Sequence, residues 1–156
     1  MRRPIRVYAD TSVFGGAFEP EFRKGSVMFF DQVREGHFRL IISALVEDEM
    51  AQAPQQVRDL FDEAAAAEGV TPVTPAAFEL RDAYLAAGAV GAAQHADALH
   101  VAVATVSQCL FIVSWNFRHI VHYERIARYN AVNLESGYPP IGIFSPSEVI
   151  AYDEGE

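Results

Sequence analysis

Residues 5–16 read Ile5-Arg6-Val7-Tyr8-Ala9-Asp10-Thr11-Ser12-Val13-Phe14-Gly15-Gly16. The first five are a largely apolar run suited to a buried strand, and Asp10 ends it. Thr11–Gly16, with two glycines, predicts a turn. In open α/β sheets, ligands bind in the crevice outside the carboxyl ends of the strands. A carboxylate that closes a buried strand is therefore a candidate functional group. No GxGxxG pattern follows this strand, so a dinucleotide-binding reading fails.

The same order of strand and then helix recurs outward from this stretch. Phe38–Ile42 predicts a second strand, and Ser43 can N-cap a helix that carries Glu47 and Glu49. Pro54 opens a helix over Gln55–Glu68, Val70–Val73 is a short strand candidate, and Thr74-Pro75 starts another helix. His95–Ser107 is apolar on nearly every face, which predicts a central buried helix. Leu110–Val113 predicts a third main strand, Phe117–Tyr129 an amphipathic helix, and Ile141–Phe144 a late strand before the cap Ser145-Pro146. Repeated β-then-α order implies an α/β fold, with a central parallel β-sheet flanked by helices on both faces.

The chain has 156 residues, 51% of them hydrophobic, which fits a single domain spanning 1–156 with a full core. No apolar run reaches the length of a membrane span, and Met1-Arg2-Arg3-Pro4 leads straight into the first strand without a secretory signal. The one cysteine, Cys109, excludes an internal disulfide and reads as a small buried hydrophobe. A cytoplasmic protein is the simplest expectation. The net charge of −9 excludes a general nucleic-acid coat protein, which would be basic, but not a nuclease with an acidic centre. Arginine dominates the cations, and its planar fork suits phosphate.

Four polar residues stand at the ends of apolar elements: Asp10, Glu49, Asp97 and Asn116. Three are carboxylates, which would repel one another if gathered without a cation, and hard oxygen ligands suit Mg²⁺ or Mn²⁺. Each also has a plainer reading. Asp10-Thr11-Ser12 can be a hydrogen-bonded turn. Glu47-Asp48-Glu49 can be a solvated helix face; residues 47 and 49 point about 200° apart on a helix, so spacing does not choose between them. Asp97 can stabilise a helix N-terminus, although its apolar neighbours predict burial and a need for a partner or metal. Asn116 can cap the following helix and also hold a metal-bound water. His95 and His100 flank Asp97 and read as structural hydrogen-bonders. Arg118, His122 and Arg125 would form one basic stripe on a helix, a candidate contact to RNA phosphate. A phosphatase of the haloacid dehalogenase type would need a second Asp two residues after Asp10, where Ser12 stands.

Taken in order, these motifs resemble the PIN-domain ribonucleases, particularly the VapC-type toxins of toxin–antitoxin pairs, over nearly the whole chain. Tyr8-Ala9-Asp10-Thr11-Ser12 is similar to the first motif, and Ser43 with Glu49 six residues later to the second. The Asp97 helix is similar to the third, and Ser114-Trp115-Asn116-Phe117-Arg118-His119 to a variant of the fourth. The register of the second motif selects Glu49 over Glu47. At the fourth position many members carry Asp where this chain has Asn116, and some carry another Asp where it has His119. The resemblance implies a PIN-like fold in which Asp10, Glu49 and Asp97 hold Mg²⁺ or Mn²⁺. Asn116 completes the catalytic set, and Thr11, Ser12 and Ser114 orient carboxylates and waters. It further implies cleavage of an RNA phosphodiester to 5′-phosphate and 3′-hydroxyl ends, and a small antitoxin protein as partner. A second copy of the chain is a further partner to consider. A PIN-like binding module without turnover and a metal-dependent phosphatase are the alternatives.

Overall fold

Four short strands, Ile5–Ala9 (β1), Phe38–Ile41 (β2), Phe111–Val113 (β3) and Gly142–Phe144 (β4), pair in parallel in the order β2-β1-β3-β4. The structure is a computed structural model and describes residues 3–152. From β1 the chain steps to one side to form β2, then crosses back past β1 to form β3 and β4. The order therefore reverses between β1 and β3, and right-handed crossovers put the intervening helices on opposite faces.

Strand register shows this directly. Ile5, Val7 and Ala9 share a face with their partners Phe38, Phe111 and Val113, whereas Tyr8 shares the other with Ile41 and Ile112. The first face is covered by helix α2 (Arg23–Arg34), whose Phe29 packs on Phe38 with ring centroids 5.4 Å apart. Phe14, in helix α1 (Thr11–Gly16), links that layer to Phe61 of helix α4 (Gln55–Glu68). The opposite face is covered by helix α6 (His95–Val106), buried continuously from Ala98 to Thr105. Helices α5 (Pro75–Ala86) and α7 (Tyr123–Glu135) pack outside it, joined by the contact of Tyr84 with Tyr129 at 4.9 Å. Short helices α3 (Ala44–Glu49) and α8 (Pro146–Val149) follow β2 and β4. The α/β architecture, the parallel sheet and the helices on both faces are as the alternation of elements implies.

Three local expectations are corrected. Thr11–Gly16 is a short helix instead of a turn. Val70–Val73 forms no strand; Thr71 makes one isolated bridge to Ser43. The helix expected from Phe117 begins only at Tyr123, because residues 116–121 close tight turns on the Asn116 carbonyl, which accepts from the Ile120 and Val121 amides. His122 is then extended, and its ring accepts the Glu124 amide as an N-cap. No helix among the described residues is long and apolar enough to cross a membrane.

Candidate active site at the carboxyl edge of the sheet

Asp10 leaves β1, and Ser114 leaves β3, where the strand order reverses, the position at which open α/β sheets form ligand crevices. The Asp10 amide donates to the Val113 carbonyl (3.2 Å), which extends the ladder and fixes the side chain at the edge. Its carboxylate is 5% exposed and accepts two hydroxyl protons, from Ser12 to Oδ1 (2.6 Å) and from Ser114 to Oδ2 (2.7 Å). Both hydroxyls are themselves oriented: Ser12 accepts the Trp115 amide and Ser114 the Asn116 amide, each at 2.9 Å. The loop after β3 thus aims both serines at Asp10. Burial raises the Asp10 pKa; His100 and the two serines lower it, and the Glu49 charge raises it, with a net rise.

Glu49 ends α3, whose start is tied down by Ser43, the N-cap that accepts the Val46 amide (3.2 Å). Glu49 Oε1 accepts from Thr11 Oγ1 (3.1 Å) and contacts His100 Nε2 (2.5 Å). The other ring nitrogen of His100, Nδ1, is 2.7 Å from the Tyr8 hydroxyl, which is 2.8 Å from Ser43 Oγ. One arrangement of protons satisfies every member: Ser43 donates to Tyr8, Tyr8 to Nδ1, and Nε2–H to the Glu49 carboxylate. The chain of bonds runs from the buried Tyr8 to the partly exposed Glu49. For Glu49, burial acts to raise the pKa, but the hydrogen bond and electrostatic attraction of His100, with Thr11, outweigh it and leave a net lowering.

Asp97 lies in the first turn of α6, one turn before His100 on the same helix face. Its side chain is half-buried, less than its apolar neighbours predict. His119 Nδ1 stands 3.6 Å from Asp97 Oδ2. Burial raises the Asp97 pKa, while His100, His119 and the Asn116 amide lower it and Glu49 raises it, with a net rise. Asn116 Oδ1 is occupied, accepting from the amides of Arg118 (3.2 Å) and His119 (2.9 Å). It therefore acts as a cap, and the oxygen expected to hold a metal-bound water is already engaged.

His100 acts on all three carboxylates, and the Glu49 charge raises the pKa of both Asp10 and Asp97, so Glu49 and His100 link the other two. Glu47 is exposed and faces another depression beside Gln55 and Arg58. Among the described residues, no group of three or more His, Cys, Asp or Glu side chains is placed to hold a metal ion. The chemistry of the donors nonetheless fits one: they are oxygens, they are negative, and no ion pair with Arg or Lys neutralises them among the described residues. Mg²⁺ commonly uses only one or two carboxylates, completing its shell with water and substrate phosphate.

The basic stripe is corrected. Arg118 lies in the turns before α7, and His122 caps that helix. Arg125 donates to the Ala89 carbonyl (3.1 Å), so the three do not share a face. His100 is the hydrogen-bonder that its place on an apolar helix predicts, three residues after Asp97, and its partner Tyr8, which the residues alone do not single out, ties it to the sheet. No family model, curated protein or solved structure matches this chain.

Proposed function

We propose that the chain is a metal-dependent endoribonuclease of the PIN kind, acting at the cleft formed by Asp10, Glu49 and Asp97. The observation that carries this reading is the buried Asp10 carboxylate. It is held by two hydroxyl donors and raised in pKa by burial, with the Glu49 charge raising it further and no Arg or Lys paired with it among the described residues. A desolvated negative cluster of this kind is costly alone and is relieved by a divalent ion. Asp10, Glu49 and Asp97 would hold Mg²⁺ or Mn²⁺. When bound, such an ion lowers the pKa of its water and offsets the charge that builds on phosphate. Ser12 and Ser114 keep both Asp10 oxygens aimed. Thr11 and His100 fix Oε1 of Glu49 and leave Oε2 without a hydrogen-bond partner among the described residues. Water adds to phosphorus as the bond to the 3′-oxygen breaks, leaving 5′-phosphate and 3′-hydroxyl ends. The reading extends to a toxin in the cytoplasm, restrained by a small antitoxin protein; the −9 charge suits a basic partner tail.

A module that binds RNA or protein without turnover is the second reading. The lack of a closed metal-holding group among the described residues favours it. Incubation of end-labelled single-stranded RNA with Mg²⁺, Mn²⁺ or EDTA separates the two. Metal-dependent fragments with 5′-phosphates, absent for Asp10→Asn, are expected. RNA left intact in both metals would defeat the nuclease reading.

A further inference from the structure

Beside the carboxylates, three aromatic rings form a cluster for which the fold alone gives no reason to be exposed. Phe22 stacks on Trp115 with centroids 4.6 Å apart and an interplanar angle of 21°. Phe117 stands edge-on to Trp115 at 6.2 Å and tilted against Phe22 at 6.5 Å. Phe22 and Trp115 are half-buried, and Phe117 is 48% exposed. A single exposed ring is ordinary on a protein surface, but a cluster of three held in place is less so.

The holding is specific. Trp115 Nε1 donates to Ser26 Oγ (2.9 Å), and Ser26 donates to the Val13 carbonyl (2.7 Å). Gly16 and Gly25 leave room for the indole. A Cβ on Gly16 would lie 2.5 Å from Trp115 Nε1, and one on Gly25 2.6 Å from Cη2. The Trp115 amide also donates to Ser12 Oγ, which donates to Asp10, so the ring cluster and the carboxylate share one loop.

The local charge differs from that of the chain as a whole. Arg23 and Lys24 follow Phe22, and Arg118 follows Phe117; none of the three joins an ion pair among the described residues. Arg34 and Arg81 are paired, and Arg125 is spent on a backbone carbonyl. Glu19 and Glu21 also flank Phe22, so the patch is slightly positive within a chain of charge −9. Exposed rings with unpaired cations suit a nucleic-acid strand, whose bases stack and whose phosphates meet the cations.

We infer that Phe22, Trp115 and Phe117 form a stacking subsite for an unpaired base of single-stranded RNA, with Phe117 as the contact ring and Arg23, Lys24 and Arg118 near the flanking phosphates. This rests on the nuclease reading for its substrate, but its test does not depend on cleavage. Trp115 is the only tryptophan, so its emission reports on this patch alone.

Hexaadenylate RNA is titrated in Mg²⁺ into full-length protein carrying Asp10→Asn, so that the strand stays intact. An abasic strand of equal length is titrated in parallel. Binding is followed by strand anisotropy and by Trp115 emission. The subsite predicts saturable quenching by hexaadenylate and none by the abasic strand. Adding Phe117→Ala should weaken binding about tenfold, and Phe117→Tyr should restore it. Hexaadenylate that binds without quenching, equal binding of both strands, or no binding to either overturns the subsite. The last result would leave the rings to a protein partner. Cleavage by the wild type without quenching sinks the subsite alone; quenching without any cleavage sinks the nuclease reading alone.

Discussion

Glu49 meets the buried His100 at 2.5 Å, whereas Asp97 meets the half-buried His119 at 3.6 Å. The two carboxylate–histidine pairs differ in how they are supported. His100 is 3% exposed, and its second nitrogen is tied through Tyr8 to Ser43, so Glu49 is fixed from the sheet outward. His119 sits in a loop closed by Asn116 and touches Asp97 only loosely. The Glu49 pair is therefore anchored to the core through its histidine, and the Asp97 pair is not.

The largest effect expected from this contrast is at His100. His100→Ala removes the donor to Glu49 and leaves the Tyr8 hydroxyl buried without its acceptor. A loss of about 3 kcal/mol in urea unfolding is expected. His119→Ala should change stability by less than about 0.5 kcal/mol. Equal losses at the two histidines would remove the distinction.

Asp10→Asn should act in the opposite direction and stabilise the metal-free protein by about 1 kcal/mol, since it removes a desolvated charge among carboxylates. The pH dependence carries the same sign. Asp10 and Asp97 titrate above their unfolded values, so their contribution is present below those values and lost as pH rises through the folded ones. Glu49 titrates below its unfolded value, so its contribution is lost as pH falls through the folded one. Metal-free protein should gain stability as pH falls through the folded pKa values of Asp10 and Asp97, and the Glu49 contribution should be lost as pH falls through its lowered one. Asp10→Asn should flatten the gain. A monotonic fall from pH 7 would contradict both shifts.

Asn116→Ala should cost about 1 kcal/mol by leaving the Arg118 and His119 amides without their acceptor, whereas Asn116→Asp keeps it. If neither variant changes Mn²⁺ affinity in calorimetric titration, Asn116 is a cap only. A marked weakening with alanine would restore it to the metal site, against the geometry of its Oδ1 atom.

Much of this arrangement is legible in the residues. The alternation of apolar runs places the four strands, and Asp10 and Ser114 follow from where β1 and β3 end. Glu49 is different: the spacing of Glu47 and Glu49 leaves the choice open, and only the resemblance or the fold selects Glu49. His100 reads as a structural hydrogen-bonder on an apolar helix and is one, but its partners Tyr8 and Glu49 lie 92 and 51 residues away in the chain, beyond what local pattern shows. The helix expected from Phe117 failed because Asn116 closes a turn with its own carbonyl and side chain, a local competition that apolar periodicity does not register.

The central claim is that the three carboxylates form a divalent-cation site. Its most direct measurement is the Tm of wild type and Asp10→Asn across a Mn²⁺ titration. The account predicts a wild-type Tm that climbs with Mn²⁺, and a variant that starts higher and climbs little. A wild-type Tm unmoved by Mn²⁺, or an equal climb in both proteins, would contradict it.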